Sequence, residues 1–288
     1  MKPAPFSYHR PRTLAQALAL LAEHGAHAKL LAGGQSLGPM MNMRLAQPAQ
    51  LIDLNALEGL DTIREAGDAI EIGALARHHA LAGSPLVRAR CPLLAEAARS
   101  IGHYAIRSRG TLGGSLAHAD PAAQLPLVAA TLGAEIAMAG PRGERRLAAA
   151  GFFMSLMTTA LERDEILVSV RMPKAAPGER HAYLQFSRRR GDFAIVAVAA
   201  TLLLDRAGLV ERLRLGVGGV EDKPVALAEL AARTRGQAAD AAWAAALAAA
   251  VRDAVRPIDD PRVPAVYRRE LVEVLARRAL LRMLDSRQ

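Results

Sequence analysis

Residues 29–45, KLLAGGQSLGPMMNMRL, place two glycines and a hydroxyl directly after a short apolar run that is typical of a buried strand. Residues 106–121, IRSRGTLGGSLAHADP, repeat this arrangement further along the chain, with Thr111 and Ser115 supplying the hydroxyls. Glycine lets the backbone approach a ligand closely, so a glycine pair at a strand end can present several N–H groups to one anion. The two loops together predict a ligand with a diphosphate. The alternative is that each pair only makes a tight turn.

Other nucleotide-binding patterns are missing from the chain. It contains no G-x-G-x-x-G between a strand and a helix and no G-x-x-x-x-G-K-[ST], so neither a Rossmann site nor a Walker loop is predicted. No Ser-His-Asp or Cys-His arrangement is indicated, which argues against hydrolysis. We expect His78 and His79 to be a solvent-exposed pair, and His118, between the second loop and Asp120, to lie near the ligand.

Composition limits the chemistry that this chain can carry alone. The 288 residues are 51% hydrophobic and 23% charged, as in a globular protein of two ordinary domains or one large domain. A single cysteine, Cys91, excludes an intrachain disulfide and any zinc or iron–sulfur site built from several thiolates of this chain. We therefore predict no metal site, and electron transfer would need an organic cofactor.

Charge and hydropathy bear on partners and compartment. Arginine supplies nearly all of the net charge of +9, which we interpret as a compositional bias rather than as a sign of nucleic-acid binding. The opening MKPAPFSYHRPRTL has no apolar segment behind its positive charges, and no run approaches the roughly 18 apolar residues of a membrane span. The sequence predicts a cytoplasmic protein without a membrane span.

Periodicity predicts a mixture of helices and strands in the first part of the chain. A helix should begin after Thr13 and end at Gly25, and AKLLA, AQLIDLN, AIEIGAL, EIAMAG and EILVSVRMP have the composition of strands. PLLAEAARSI is helical in pattern. Asp120, as a cap before Pro121, predicts a further helix that ends at Gly133.

The second part of the chain has a different organisation. Residues 173–181 gather proline, glycine and charge without periodicity and are the predicted linker. AIVAVAATLLLD and VERLRLGVGGV predict an antiparallel hairpin, and alanine-rich helices follow around Trp243. We therefore predict two domains, residues 1–176 and 181–288, in an overall α+β arrangement.

Several of these segments together resemble a known family. LLAGGQSLGPMMNMRLAQPAQLIDLN and IRSRGTLGGSLAHADPAAQLP are similar to the FAD-binding subunit of the molybdenum hydroxylases, which is the medium subunit of carbon monoxide dehydrogenases and the FAD-binding subunit of xanthine dehydrogenases. FSYHRPRTLAQALALLAEHG, EILVSVRMP, HAYLQFSRRRGDFAIVAVAA and VYRRELVEVLARRALL follow in the family's order, so the resemblance covers nearly the whole chain.

The resemblance implies a fold and a cofactor. The expected fold is α+β, with an FAD-binding domain of the vanillyl-alcohol-oxidase (PCMH) type made of two α/β subdomains, then a smaller α+β domain with an antiparallel sheet and helices. The loops would hold the FAD diphosphate, and replacing Gly33 or Gly113 with a β-branched residue should abolish FAD retention because Cβ would intrude on the phosphate. The cofactor-binding residues that it implies are Leu30, Leu31, Ala32, Gly33, Gly34, Gln35, Ser36, Leu37, Thr111, Leu112, Gly113, Gly114, Ser115, His118, Asp120, Gln124, Leu167, Gln185 and Phe193.

Three of these positions are of special interest. Gln124 and Gln185 stand where the family often has an acidic residue and a lysine, so polar contacts to the flavin change at both. Phe193 stands where related chains often place an aromatic residue beside the isoalloxazine ring, and it offers packing without a hydroxyl.

The resemblance also implies partners and a role. A large molybdopterin-binding subunit and a small subunit with [2Fe–2S] clusters would complete a heterotrimer, expected as a dimer of heterotrimers. This chain would pass electrons from FAD to NAD, oxygen or a quinone, without a catalytic residue of its own, and the complex could also lie on the inner face of the membrane. The alternatives are a self-sufficient flavin oxidoreductase and a non-catalytic assembly protein that has lost FAD.

Overall fold

The computed structural model describes residues 2–285 and begins with a small α/β subdomain. Its elements are β1 (Ser7–His9), α1 (Leu14–His24), β2 (Ala28–Leu31), α2 (Leu37–Asn42) and β3 (Gln50–Asp53). The strands form a parallel sheet in the order β1-β3-β2. Thr13 caps α1 by accepting a hydrogen bond from the N–H of Gln16 at 3.2 Å, and the helix ends at Gly25, as predicted.

A larger second subdomain follows, built on one antiparallel sheet in the order β4-β5-β10-β6-β7. Its strands are β4 (Ile63–Ala66), β5 (Ala69–Gly73), β6 (Glu135–Gly140), β7 (Gly143–Ala148), the small pair β8 (Phe153–Ser155) and β9 (Thr158–Thr159), and β10 (Ile166–Pro173). Its helices are α3 (His78–Gly83), α4 (Pro85–Arg90), α5 (Pro92–Ser100), α6 (Tyr104–Arg107), α7 (Leu112–His118), α8 (Gln124–Leu132) and α9 (Ala149–Phe152).

The two faces of this sheet pack against different layers. Side chains alternate along a strand, so Val170 and Ile136 point into the core formed with α5 and α8. Val168 and Ala137 point the other way, into a core shared with Leu21 of the first subdomain. Both glycine loops lie in this two-subdomain unit. The glycine pair of the first follows β2, as predicted, whereas the second is not a loop at a strand end: Thr111 is the N-cap of α7 and residues 112–115 are its first turn.

The C-terminal part is an antiparallel sheet covered by helices. Its elements are β11 (Arg180–Phe186), β12 (Val196–Leu204), β13 (Val210–Gly218), β14 (Val225–Ala226), α10 (Ala228–Ala232), α11 (Ala241–Ala254) and α12 (Ala265–Asp285). The predicted hairpin is β12 and β13, and the apolar sides of α11 and α12 cover the sheet around Val198. β11 also packs on α5, which places the start of this part beside the second subdomain.

The connection between β10 and β11 is held at both ends. The N–H of Ala175 donates to the carbonyl of Arg90 at 2.7 Å. Glu179, whose side chain is 1% exposed, accepts hydrogen bonds from Thr201 at 2.9 Å and from Arg214 at 3.1 Å. A carboxylate this deeply buried needs such hydrogen-bond partners. Because both partners lie on strands of the C-terminal sheet, Glu179 binds the predicted linker to that sheet.

The predicted start of α8 is wrong. Asp120 does not cap the helix, because its Oδ1 accepts a hydrogen bond from the N–H of Ala122 at 2.8 Å and its carbonyl accepts one from Ala123. Pro121 is held outside the helix by Gly219, whose N–H donates to its carbonyl at 2.8 Å. The chain therefore makes a separate turn, and the helix begins at Gln124.

Candidate functional site

The first loop, residues 30–37, offers a row of unused backbone donors. Among the described residues, no protein atom accepts a hydrogen bond from the N–H of Gly34, Gln35, Ser36 or Leu37. Gly34 has φ +69°, a conformation that glycine adopts without strain, and the Ser36 hydroxyl does not cap α2. All eight loop residues are half-buried rather than enclosed. Consecutive N–H groups of this kind suit an anion such as a diphosphate.

The segment predicted as the second loop, residues 111–115, is the N-cap and first turn of α7, and it uses its backbone donors within the protein. The N–H groups of Leu112 and Gly113 donate to the carbonyls of Ala76 and Ala74, and the N–H of Gly114 donates to the Thr111 hydroxyl at 3.1 Å. Thr111, Leu112 and Gly113 are buried, whereas Gly114 and Ser115 are half-exposed. The two loops therefore differ in the backbone N–H groups that they leave free for a ligand. In the second loop, only Gly114 and Ser115 are accessible to a ligand.

Gly33 and Gly113 are needed for packing between protein segments. A Cβ at Gly33 would collide with the carbonyl oxygen of Arg109 and lie 2.8 Å from Cα of Gly110, next to the second loop. A Cβ at Gly113 would lie 2.6 Å from Cβ of Ala74. The expectation that Cβ would intrude on phosphate at these positions gave the wrong reason: the first loop lies directly against the segment that leads into the second.

The exposed pair predicted at His78 and His79 is half wrong, because His78 is buried. Its Nε2 lies 2.9 Å from the carbonyl oxygen of Thr111, so Nε2 carries the proton and donates. Its Nδ1 has no partner among the described residues and faces Gly110, where an added Cβ would lie 2.7 Å away. Burial lowers the pKa of His78 to about 4, so a neutral imidazole holds the second loop.

A cleft of about 530 Å³ opens between α6 and the segment that follows β11. Its lining residues are Arg99, Ser100, Gly102, His103, Tyr104, Arg107, Gln185, Ser187, Arg190 and Gly191. Three of these side chains are arginines and none is acidic, so the cleft favours an electron-rich or anionic group. Of the predicted site residues, only Gln185 lines it. His103 and Tyr104 were not predicted from the sequence because they stand in no recognisable motif.

The two glutamines that depart from the family pattern contact each other. Nε2 of Gln124 donates to Oε1 of Gln185 at 3.1 Å, and the Tyr183 hydroxyl donates to the same oxygen at 2.9 Å. The amide nitrogen of Gln185 has no acceptor among the described residues. Gln185 therefore has neutral N–H donors to offer a group in the cleft, while Gln124 is buried behind it.

The remaining predicted residues lie in different surroundings. His118 and Asp120 are half-buried at the end of α7 and just beyond it, and Leu167 is buried in β10. Phe193 is 60% exposed on the segment between β11 and β12, two residues after Gly191 of the cleft. A solvent-exposed aromatic ring at the rim of a cleft is suited to stacking on a planar ligand.

These residues fit FAD. The first loop has the unused amides that a diphosphate requires, and the cleft has polar donors and the aromatic side chain of Tyr104 for a ring system. Within residues 2–285, no group of three or more histidine, cysteine, aspartate or glutamate side chains is placed to hold a metal ion. No helix in that range is long and apolar enough to cross a membrane.

Two protein families match the chain in succession. Residues 4–175 match the family described as the FAD binding domain in molybdopterin dehydrogenase, and residues 181–283 match the CO dehydrogenase flavoprotein C-terminal domain.

The chain is similar to the carbon monoxide dehydrogenase medium chain of Hydrogenophaga pseudoflava, with 39% identity over 97% of each chain. It is also similar to the 6-hydroxypseudooxynicotine dehydrogenase complex subunit alpha of Paenarthrobacter nicotinovorans, with 37% identity over 99% of this chain and 96% of that one.

Solved structures share the fold. A chain of the carbon monoxide dehydrogenase from Hydrogenophaga pseudoflava superposes with a TM-score of 0.95 at 38% identity, over 99% of both chains. A chain of quinoline 2-oxidoreductase from Pseudomonas putida 86 superposes with a TM-score of 0.93 at 33% identity, over 98% of both. The α+β FAD-binding fold predicted from the sequence is confirmed.

Proposed function

The chain belongs to the FAD-binding medium subunits of the molybdenum hydroxylases. From this membership we propose that it is the subunit of a three-subunit oxidoreductase from which electrons pass, through FAD, to an external acceptor. Its cofactor is FAD. The observation that carries the proposal is the first loop, whose four consecutive backbone N–H groups have no acceptor among the described residues.

Each part of the site has a separate task in this proposal. The amides of the first loop bind the diphosphate, and Ser115 approaches it from the second loop. The cleft beside Gln185 receives the flavin ring, with Phe193 at its rim. When bound, FAD would accept electrons one at a time from an iron–sulfur donor and release them singly or in pairs to an acceptor, while the protein supplies orientation and electrostatics.

Electrons would come from a partner, since this chain has one cysteine, Cys91, which is buried, and burial raises the pKa of its thiol to about 12. A [2Fe–2S] small subunit would deliver electrons taken from substrate in a molybdopterin subunit. The relatives named as a medium chain and as a subunit of a dehydrogenase complex support an assembly with other subunits. NAD, oxygen or a quinone would then take the electrons from FAD.

The experiment is reconstitution of the purified complex with and without this chain. With the chain and FAD present, substrate should reduce an added acceptor. With the chain omitted, substrate should still reduce the molybdenum and iron–sulfur centres, but electrons should not reach the acceptor. Acceptor reduction at an undiminished rate without the chain would refute the proposal. Oxidation of a small organic substrate by this chain alone would favour the self-sufficient oxidoreductase instead.

A further inference from the structure

We propose that Asn55 and Arg77 form a bridge that fixes the separation of the two glycine loops and so positions the FAD-binding amides. The bridge rests on the proposed role of these loops in binding FAD. Neither residue belongs to a glycine loop, and neither was predicted from the sequence.

Asn55 connects β3 to the first loop. It lies in the short 3-10 turn Leu54–Ala56, where its N–H donates to Oδ1 of Asp53 at 2.9 Å. Its Nδ2 donates to the carbonyl of Ala32 at 2.8 Å, one residue before the glycine pair. Asp53 is in turn held by the Tyr8 hydroxyl at 2.5 Å, so the asparagine is anchored to two neighbouring strands of the first sheet.

Arg77 connects the same asparagine to the second loop. Its Nη2 donates to Oδ1 of Asn55 at 2.6 Å, and its Nη1 donates to the carbonyl of Arg109. The backbone of Arg77 also forms an isolated antiparallel bridge with Thr111. One guanidinium therefore reaches the first loop through Asn55 and the approach to the second loop directly.

The bridge and the direct contact between the loops share one group, the carbonyl of Arg109. Gly33 packs against Arg109 and Gly110, and the same Arg109 carbonyl accepts the hydrogen bond from Arg77. Loosening Arg77 would let this segment move away from Gly33 and change the direction of the adjacent amides. Amides that bind an anion must be held in place before the ligand arrives, because small displacements weaken several hydrogen bonds together.

The chemistry at both positions is specific. Asn55 donates to one carbonyl and accepts from a guanidinium, which an amide can do but a carboxylate or an aliphatic side chain cannot. Arg77 uses two separate nitrogens for two acceptors, which a lysine ammonium cannot reproduce. Asn55 is exposed and Arg77 is half-buried, so their direct contribution to folding stability should be small.

The test uses the full chain and three probes, namely FAD, ADP and riboflavin. Asn55→Leu and Arg77→Met should each weaken FAD and ADP binding roughly tenfold, as expected for a lost charge-assisted hydrogen bond. Riboflavin, which has no diphosphate, should bind as in the wild type, and the urea midpoint should stay within error. The double variant should lose no more affinity than the weaker-binding single variant, because both changes open the same bridge.

Arg64→Met is the matched control, because it removes an exposed arginine that is paired with Glu71 on the second sheet. It should leave all three affinities unchanged. Unchanged FAD and ADP affinities in both bridge variants would overturn the proposal, and so would an equal loss for riboflavin, which would show general damage to the site. A wild-type chain that binds riboflavin and ADP no better than an unrelated protein would refute the assignment of the loops, and the bridge with it.

Discussion

His78 should make the folded chain lose stability in mildly acidic solution. Its imidazole is 6% exposed, and burial lowers its pKa from 6.5 to about 4. The unfolded chain therefore takes up a proton between pH 6.5 and pH 4 that the folded chain does not accept. The contribution of His78 to the free energy of unfolding is constant above pH 6.5, and it falls as the pH is lowered from 6.5 toward 4. Linkage gives a loss of about 2 kcal/mol between pH 8 and pH 5 from this group.

The assay is urea unfolding followed by far-ultraviolet circular dichroism at a series of pH values from 8 to 5. His78→Gln is the perturbation, since the glutamine amide can donate to the Thr111 carbonyl but does not titrate. The variant should start less stable at pH 8 and then lose about 2 kcal/mol less than the wild type on acidification. His79→Gln, the exposed neighbour, should follow the wild-type curve.

Parallel pH curves for wild type and His78→Gln would refute this reasoning. They would mean that the buried imidazole takes up its proton as readily as the unfolded chain does. An imidazole pKa near 6.5, measured by NMR in the folded chain, would refute it independently, because the pocket beside Gly110 would then tolerate the charge.

Three further outcomes follow from particular contacts. Gly33→Val should destabilise the chain by about 2 kcal/mol as well as weaken FAD binding, measured by urea unfolding and titration, whereas Gly83→Ala, whose Cβ meets no atom within 4 Å, should do neither. Gln185→Lys should raise the midpoint potential of bound FAD, measured by dye-equilibrated reduction, because a cation in the cleft favours uptake of electrons; an unchanged potential would place the ring elsewhere. Glu179→Ala should cost about 3 kcal/mol in unfolding experiments, because it leaves Arg214 half-buried without its carboxylate, and a loss below about 1 kcal/mol would contradict this.

The sequence predicted α1, α5 and the strands β2, β3, β5, β6 and β10 because their signals are local, but it did not predict α2, α6 and α7, the short helices beside the glycine loops and the cleft. A Thr13 cap with Gln16 three residues later defines α1, and the alternation in AIEIGAL defines β5. The start of α8 failed for a physical reason. Asp120-Pro121 has the composition of a helix start, but the hydrogen bond from Gly219, distant in sequence, holds Pro121 in a turn.

The site was predictable only in part, for the same reason. The two glycine loops are visible as motifs, but their unequal use of backbone donors depends on which carbonyls lie opposite them. Gln124 and Gln185 stand far apart in the sequence, and only the fold brings them into contact. Asn55 and Arg77 belong to no motif, because their role comes from the strands that they connect.

The central claim is that electrons leave the complex through FAD on this chain, and stopped-flow spectroscopy of the assembled complex tests it most directly. Flavin and iron–sulfur absorbance are followed after substrate is mixed with the complex and then after acceptor is added. We predict that the flavin bands bleach after the iron–sulfur bands and recover first when acceptor arrives. Iron–sulfur centres that reoxidise at the same rate in a complex whose chain carries no FAD would contradict the claim.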